Sequence, residues 1–362
     1  MTSNAMKCLT VGLLMTLAAC SSRPGPQVLQ PLAIETPANA TTVKVYAVTN
    51  RAPLDGHPYA FGADRMPAAQ FLSYEVSIPP NHTAGHIEWP VRQPNPATDF
   101  ITTSHHILNS AALTHDIANS EAVGLYVHGY NTSFQEAVYR MAQMRADVHM
   151  EGTPVLFSWP SAGSLGGYLA DRDATDQSRT ALVNLIIQLA ERPGASKKVA
   201  ILAHSMGARL TLEALMQLKL MGRQNILDRL QVILAAPDVD VDLFREQIGV
   251  IGPMHEPITI LASSDDGILR FSQRVSGGHS RLGLVDVYDP EVQKIAADAG
   301  VRIVDITDVP SDSTAHSRYV GLISSGATSY AENPLYSLRQ AGAFVVEGIG
   351  STLQSIGNVL VE

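Results

Sequence analysis

Lys198-Val199-Ala200-Ile201-Leu202-Ala203-His204-Ser205-Met206-Gly207 is the stretch that decides the fold. Six residues, Lys198–Ala203, form an apolar run short enough for a buried strand, and a helical pattern follows over Gly207–Met221. Between them, Ala203-His204-Ser205-Met206-Gly207 matches the nucleophile elbow, with Ala in place of the first Gly. The spacing has a steric origin. The chain turns sharply from strand to helix with a serine at the tip, and the residues two before and two after pass close together, so both must be small. The turn aims the serine Oγ at solvent, and the helix N-terminus behind it offers N–H groups to a developing anion. Ser205 is therefore the candidate nucleophile. The bland alternative, a serine that merely caps a helix, is weakened by its place between an apolar strand and a helix.

On either side, apolar strands alternate with helical segments. Strands are expected at Ala122–Val127, Val155–Ser158, Leu230–Leu234, Ile258–Ala262 and Val301–Ile306. Helices are expected at Ser133–His149, Asp173–Glu191, Val241–Ile248 and Gly267–Val275. This alternation predicts an α/β fold, a mostly parallel central sheet with helices on both faces. Active sites on that architecture lie at the carboxyl ends of the strands. Upstream, Thr42–Val48 and Phe71–Ile78 read as two further strands, and Asn81–Asp99 as loop.

A serine nucleophile needs an oxyanion hole, a base and an orienting acid. The segment Tyr126-Val127-His128-Gly129-Tyr130-Asn131 ends a strand, and its His-Gly suits a loop that turns a backbone N–H toward a reacting carbonyl. Tyr130 and Met206 are the expected backbone donors; His128 is read as structural. In this fold the acid follows the serine and the histidine comes last. Asp266 is the preferred acid, with Asp238 and Asp265 as alternatives; Asp265 could instead cap the helix that follows. His316, beyond the last strand, is preferred as base over His279, which sits in the Gly277-Gly278 loop. His105, His106 and His115 lack any metal-site pattern, so neither a metal nor an organic cofactor is called for. Phe157-Ser158-Trp159-Pro160-Ser161 follows a strand and could line the cleft or be buried.

Composition bounds the rest. The chain has 362 residues, 45% hydrophobic and 16% charged, which suits one large domain. A formal net charge of −9 with scattered basic residues argues against a nucleic-acid partner. Lys7 followed by the apolar run Leu9–Ala19 resembles a signal peptide, too short to span a bilayer as a mature helix. Leu17-Ala18-Ala19-Cys20 resembles a bacterial lipobox, which implies lipid on Cys20 and a place at the cell envelope; Ser21 rather than Asp favours the outer membrane. Each buried CH₂ of such a lipid contributes roughly 0.8 kcal/mol to anchoring. The expected organisation is a signal peptide at 1–19, a flexible tether at 20–41 and a hydrolase domain at 42–362. Cys8 leaves with the signal peptide, so the mature domain would hold no cysteine nucleophile and no disulfide. The apolar tail Ala341–Val361 could pack on the domain or touch the membrane.

These residues carry a resemblance. The chain resembles the DUF900 group of α/β-hydrolases, bacterial proteins that often bear lipoprotein signals. The similar segments are Val45–Pro53, Leu72–Pro80, Val127–Glu136, Val155–Asp171, Ile201–Leu215, Ala235–Phe244, Ile260–Leu269 and Ala315–Tyr319. In that group a Ser-Ser-x-Asp segment carries the acid and a late Gly-His-Ser the base, which implies Asp266 and His316. Ala315 stands here where the group has Gly. The functional expectation is carboxylic-ester hydrolysis of a small-molecule or lipid ester. Two rivals share the sequence: acyl transfer to an envelope lipid or glycan, and a scaffold that keeps the fold without activity.

Overall fold

Short runs such as Ala122–Val127 and Leu230–Ala235 are apolar almost throughout, as strands covered on both faces must be. The computed structural model describes residues 23–91, 93–147, 152–194, 198–311, 314–324 and 344–347. The signal segment, Cys20 and all of the apolar tail except 344–347 lie outside them.

The strands are β1 (Thr41–Leu54), β2 (His57–Ile78), β3 (Ile101–Leu108), β4 (Ala122–Val127), β5 (Thr153–Ser158), β6 (Lys198–His204), β7 (Leu230–Ala235), β8 (Thr259–Ala262), β9 (Arg302–Asp305) and β10 (Phe344–Glu347). They form one sheet in the order β10-β9-β8-β7-β6-β4-β5-β1-β2-β3. From β9 through β1 all pairings are parallel. Antiparallel pairs close both edges, β1–β2 and β2–β3 at one and β9–β10 at the other. The helices are α1 (Ser110–Asp116), α2 (Phe134–Asp147), α3 (Tyr168–Ala190), α4 (Met206–Leu220), α5 (Gln224–Leu227), α6 (Val241–Ile251), α7 (Gly267–Val275), α8 (Pro290–Ala299) and α9 (Arg318–Ser324).

Two apolar layers flank the sheet. One gathers Leu182, Ile186 and Leu189 of α3, Leu212 and Leu215 of α4 and Phe244 of α6 around Val199 and Ile201. The other sets Phe134, Val138 and Tyr139 of α2 and Leu322 of α9 against Val45, Tyr126 and Leu156. The expected parallel sheet with helices on both faces is the observed one.

Two expectations change. The strand expected at Phe71–Ile78 begins at His57, because Asp55-Gly56 folds β1 back onto β2, with Leu54 opposite His57 and Gly56 at φ 76°. The expected tether does not run free between residues 23 and 41. A short 3₁₀ turn at Pro26–Leu29 buries Leu29 completely, and Val28 C=O accepts from Tyr139 Oη at 2.6 Å. Arg23 donates to Glu136, to the Asn131 side chain and backbone, and to Gly163 C=O. The low charge of this stretch lets it lie on the domain instead of remaining in water.

Candidate active site

Strand β6 ends at His204, and α4 starts two residues later at Met206. Ser205 between them holds φ 54° and ψ −119°, a region non-glycine residues rarely occupy. The turn is pinned on both sides: Ser205 N–H donates to Ala235 C=O at 2.9 Å, and its C=O accepts from Ala208 and Asp238 N–H. Glycine is required at two neighbours. A Cβ on Gly207 would lie 2.6 Å from Val127 O and closer still to His128 O, and one on Gly129 would lie 2.9 Å from Ser205 Cβ. The crossing of the two loops therefore sets the small residues of both motifs. It also covers the serine: Ser205 is 2% exposed, not aimed into open solvent as the elbow pattern alone suggested.

Asp266 follows β8 and caps α7. Its Oδ1 accepts from Ile268 N–H at 2.9 Å and Leu269 N–H at 3.1 Å. Its Oδ2 accepts from His316 Nδ1–H at 2.7 Å, and Asp266 is fully buried. His316 sits on a 3₁₀ turn, Ala315–Ser317, that leads into α9. With Nδ1 donating, Nε2 is the imidazole's free basic nitrogen. Ser205 and His316 make no hydrogen bond to each other here; such contacts often tighten only with substrate. His316 is brought to the elbow through His204, whose Nε2–H donates to His316 C=O at 3.1 Å. The two rings stand 4.6 Å apart, and Tyr319 packs on the His204 ring at 4.5 Å. Burial pushes the His204 pKa well below its ordinary value, so the ring is a neutral donor.

The alternative candidates are engaged elsewhere. Asp265 does not cap the helix. It accepts from Ser263 Oγ at 2.7 Å and from Arg318, whose hydrogen bonds hold its pKa down to about 2. Asp238 accepts from Tyr168 Oη at 3.0 Å and from Ser272 Oγ. His279 is largely exposed and stands 3.9 Å from Asp240.

The loop carrying Tyr130 is braced from beneath. His128 Nδ1–H donates to Gly129 C=O at 2.9 Å, and its ring stacks on Trp159 at 4.9 Å. Trp159 Nε1–H donates to His128 C=O at 2.8 Å, so this tryptophan supports the loop and does not line the cleft. Burial, with a smaller push from Arg51, lowers the His128 pKa to about 3, leaving Nε2 to accept from Ser158 Oγ. Arg51 donates to Thr132 C=O at 2.8 Å, Ser161 C=O at 3.0 Å and Gly62 C=O at 2.9 Å. Asp171 accepts from Ala162 N–H at 2.6 Å, Ser161 Oγ at 2.6 Å and Asn131 N–H at 3.2 Å. Among the described residues, the Tyr130 and Met206 amides donate to no backbone or side-chain acceptor. Sequence reading assigned no role to His204, Arg51 or Asp171. A signal existed for the first, which lies inside the elbow motif; nothing in the strand or helix patterns marked the other two.

No curated protein matches the chain. The family described as an alpha/beta hydrolase of unknown function, DUF900, matches residues 108–324, a span holding the strained serine, the His128-Gly129 loop beside it and the buried Asp266–His316 pair; the chain belongs to that family.

Proposed function

We propose that this α/β-hydrolase is a serine carboxylic-ester hydrolase acting through an acyl-enzyme on Ser205. The observation that carries the reading is the 2.7 Å bond from His316 Nδ1 to the fully buried Asp266, on loops that meet at a strained serine elbow. In the reaction, Oγ of Ser205 attacks the ester carbonyl while His316 Nε2 takes its proton. The carbonyl oxygen becomes an oxyanion, held by the Tyr130 and Met206 N–H groups. Asp266 keeps the imidazole in the reactive tautomer and stabilises its cationic form. The tetrahedral intermediate collapses, the C–O bond to the alcohol breaks, and His316 returns the proton to the leaving oxygen. Water then attacks the acyl carbon, again through His316, releasing the acid and restoring Ser205. His204 is a positioning residue, since its hydrogen bond holds the backbone of His316.

The same reading places the enzyme at a bacterial envelope membrane, through lipid on Cys20. Support comes from the apolar run Leu9–Ala19 and the lipobox-like Leu17-Ala18-Ala19-Cys20.

The test is labelling of the folded protein by a fluorophosphonate, followed by a series of p-nitrophenyl esters of increasing acyl length. Labelling that vanishes in Ser205→Ala, with turnover of at least one ester, is expected. Folded protein that takes no label overturns the reading.

A further inference from the structure

Beside the nucleophile's helix is a cavity of about 240 Å³, lined in part by Met206, Tyr168, Arg172, Arg209, Asp238 and Arg281. Met206, whose amide is one of the two proposed oxyanion donors, belongs to the lining, so the cavity lies beside the residue that follows the nucleophile. Its volume is below the ~300 Å³ at which pockets begin to take whole ligands, so it suits one portion of a substrate.

The charges around it are unevenly satisfied. Asp238 is held by Tyr168 and Ser272, and Arg281 Nε stands 3.4 Å from its Oδ1. Asp240 is committed as the cap of α6, accepting from the Asp242 and Leu243 amides. Arg209 uses a terminal nitrogen to pair with Asp176 at 3.1 Å, although its enclosed Nε has no hydrogen-bond partner. Two guanidiniums differ. Arg281 is only 6% exposed, and its enclosed Nε has no hydrogen-bond partner. Its terminal N–H groups make no hydrogen bond among the described residues and are not enclosed, so the ion pair with Asp238 holds the side chain at Nε and leaves those donors open. Arg172, half-buried in the first turns of α3, has neither an ion pair nor a side-chain hydrogen bond among the described residues. A guanidinium carries five donors in a planar fork, and the terminal ones match a carboxylate or phosphate bidentately. Walls of protein around the site strengthen any charge pairing within it.

We propose that this cavity is a subsite for an anionic group, carboxylate or phosphate, carried by the ester substrate. Arg281 is its hydrogen-bonding partner and Arg172 the second positive charge. The proposal rests on Ser205 acting as an ester-cleaving nucleophile, and it narrows the substrate class from esters in general to esters with a negative charge near the scissile bond.

The experiment compares matched pairs of substrates by following acid release at constant pH. Monoethyl adipate against ethyl hexanoate places a carboxylate on the acyl side. 2-Butyryloxyethyl phosphate against propyl butyrate places a phosphate on the alcohol side. At least one charged ester is expected to exceed its neutral partner in kcat/KM by about tenfold or more, the scale of one hydrogen bond to a charged group. The responding arm identifies which side of the ester carries the charge. Arg281→Gln is expected to reduce that ratio about tenfold, mainly through KM, and Arg172→Glu to reduce it as well. Arg172 has no ion pair or side-chain hydrogen bond to lose among the described residues, so its variant tests the idea even if Arg281→Gln does not fold. Raised salt should shrink the preference. A ratio near one in both arms, or a ratio unmoved by both substitutions, overturns the proposal. Fluorophosphonate labelling of the same preparation separates the two levels: labelled enzyme without charge preference sinks only the subsite, whereas unlabelled folded enzyme sinks the ester reading and the subsite with it.

Discussion

Asp266 divides its two oxygens between two tasks, one capping α7 and one holding His316. Replacement by Asn keeps an oxygen for the cap but presents an amide where the imidazole needs an acceptor. Asp266→Asn should therefore lower kcat on a p-nitrophenyl ester by about 10⁴-fold, the scale for a wrong tautomer, while thermal unfolding moves by no more than a lost cap, about 1 kcal/mol. Asp238→Asn, which touches no histidine, should leave a far larger share of kcat. His128 carries a second prediction. Its folded pKa of about 3 lies below the ordinary 6.5, so the unfolded chain binds its proton first as pH falls. Stability is thus present above pH 6.5 and is lost between 6.5 and about 3, by an amount on the order of a few kcal/mol. His82 titrates in the opposite sense: burial lowers its pKa, but its bonds to Asp147 and Glu88 outweigh that and raise it. Subtracting the melting profile of His128→Phe from that of the wild type isolates the His128 slope, and equal slopes would remove the assignment. At this scale the sequence could rank Asp265 and Asp266 only by chain order. What separates them is Arg318, which engages the first and lies 53 residues away.

At the scale of elements, the parallel strands were readable because burial on both faces leaves an uninterrupted apolar run. The β1–β2 hairpin was not, because exposed and half-buried residues fill its outer part, from Gly62 to Phe71, and no period-2 alternation survives there. The local clue was Asp55-Gly56, the strongest two-residue hairpin signal. Irregular pairing between Thr49 and Arg51 lies where β1 delivers the buried Arg51 to the loops around the site. The elbow depends on backbone contact between elements more than on any side chain. Gly207→Ala would drive a Cβ into the carbonyls of Val127 and His128, which end β4 and begin the proposed oxyanion loop. Chemical unfolding should show a loss of about 1–3 kcal/mol, the usual range for overpacking, together with slower fluorophosphonate labelling as Met206 and the loop move apart. Unchanged labelling in Gly207→Ala would mean that this crossing does not set the site.

For the molecule as a whole, the segment between Cys20 and β1 ties the proposed anchor to the proposed site. Arg23 is bonded to Asn131, the neighbour of Tyr130, and to Gly163; Leu165, whose C=O accepts from Tyr130 Oη, is 73% exposed nearby. Three residues of chain reach at most about 10–11 Å, so a lipid on Cys20 would keep the proposed oxyanion loop close to the membrane surface. The 3₁₀ turn at Pro26–Leu29 and the burial of Leu29 hold the segment in place beyond Arg23. Two variants separate anchoring from orientation. Cys20→Ser should move the protein from the membrane fraction to the soluble one without changing turnover of a water-soluble ester. Arg23→Ala should leave it in the membrane fraction, speed amide exchange between residues 26 and 32, and lower turnover of an ester dispersed in vesicles relative to a soluble one. Exposed ion pairs contribute little stability, so melting should shift by less than about 1 kcal/mol. A Cys20→Ser protein that still sediments with membranes would remove the lipid anchor from the account. An Arg23→Ala protein with an unchanged ratio of vesicle to soluble turnover would mean that docking of this segment does not orient the site.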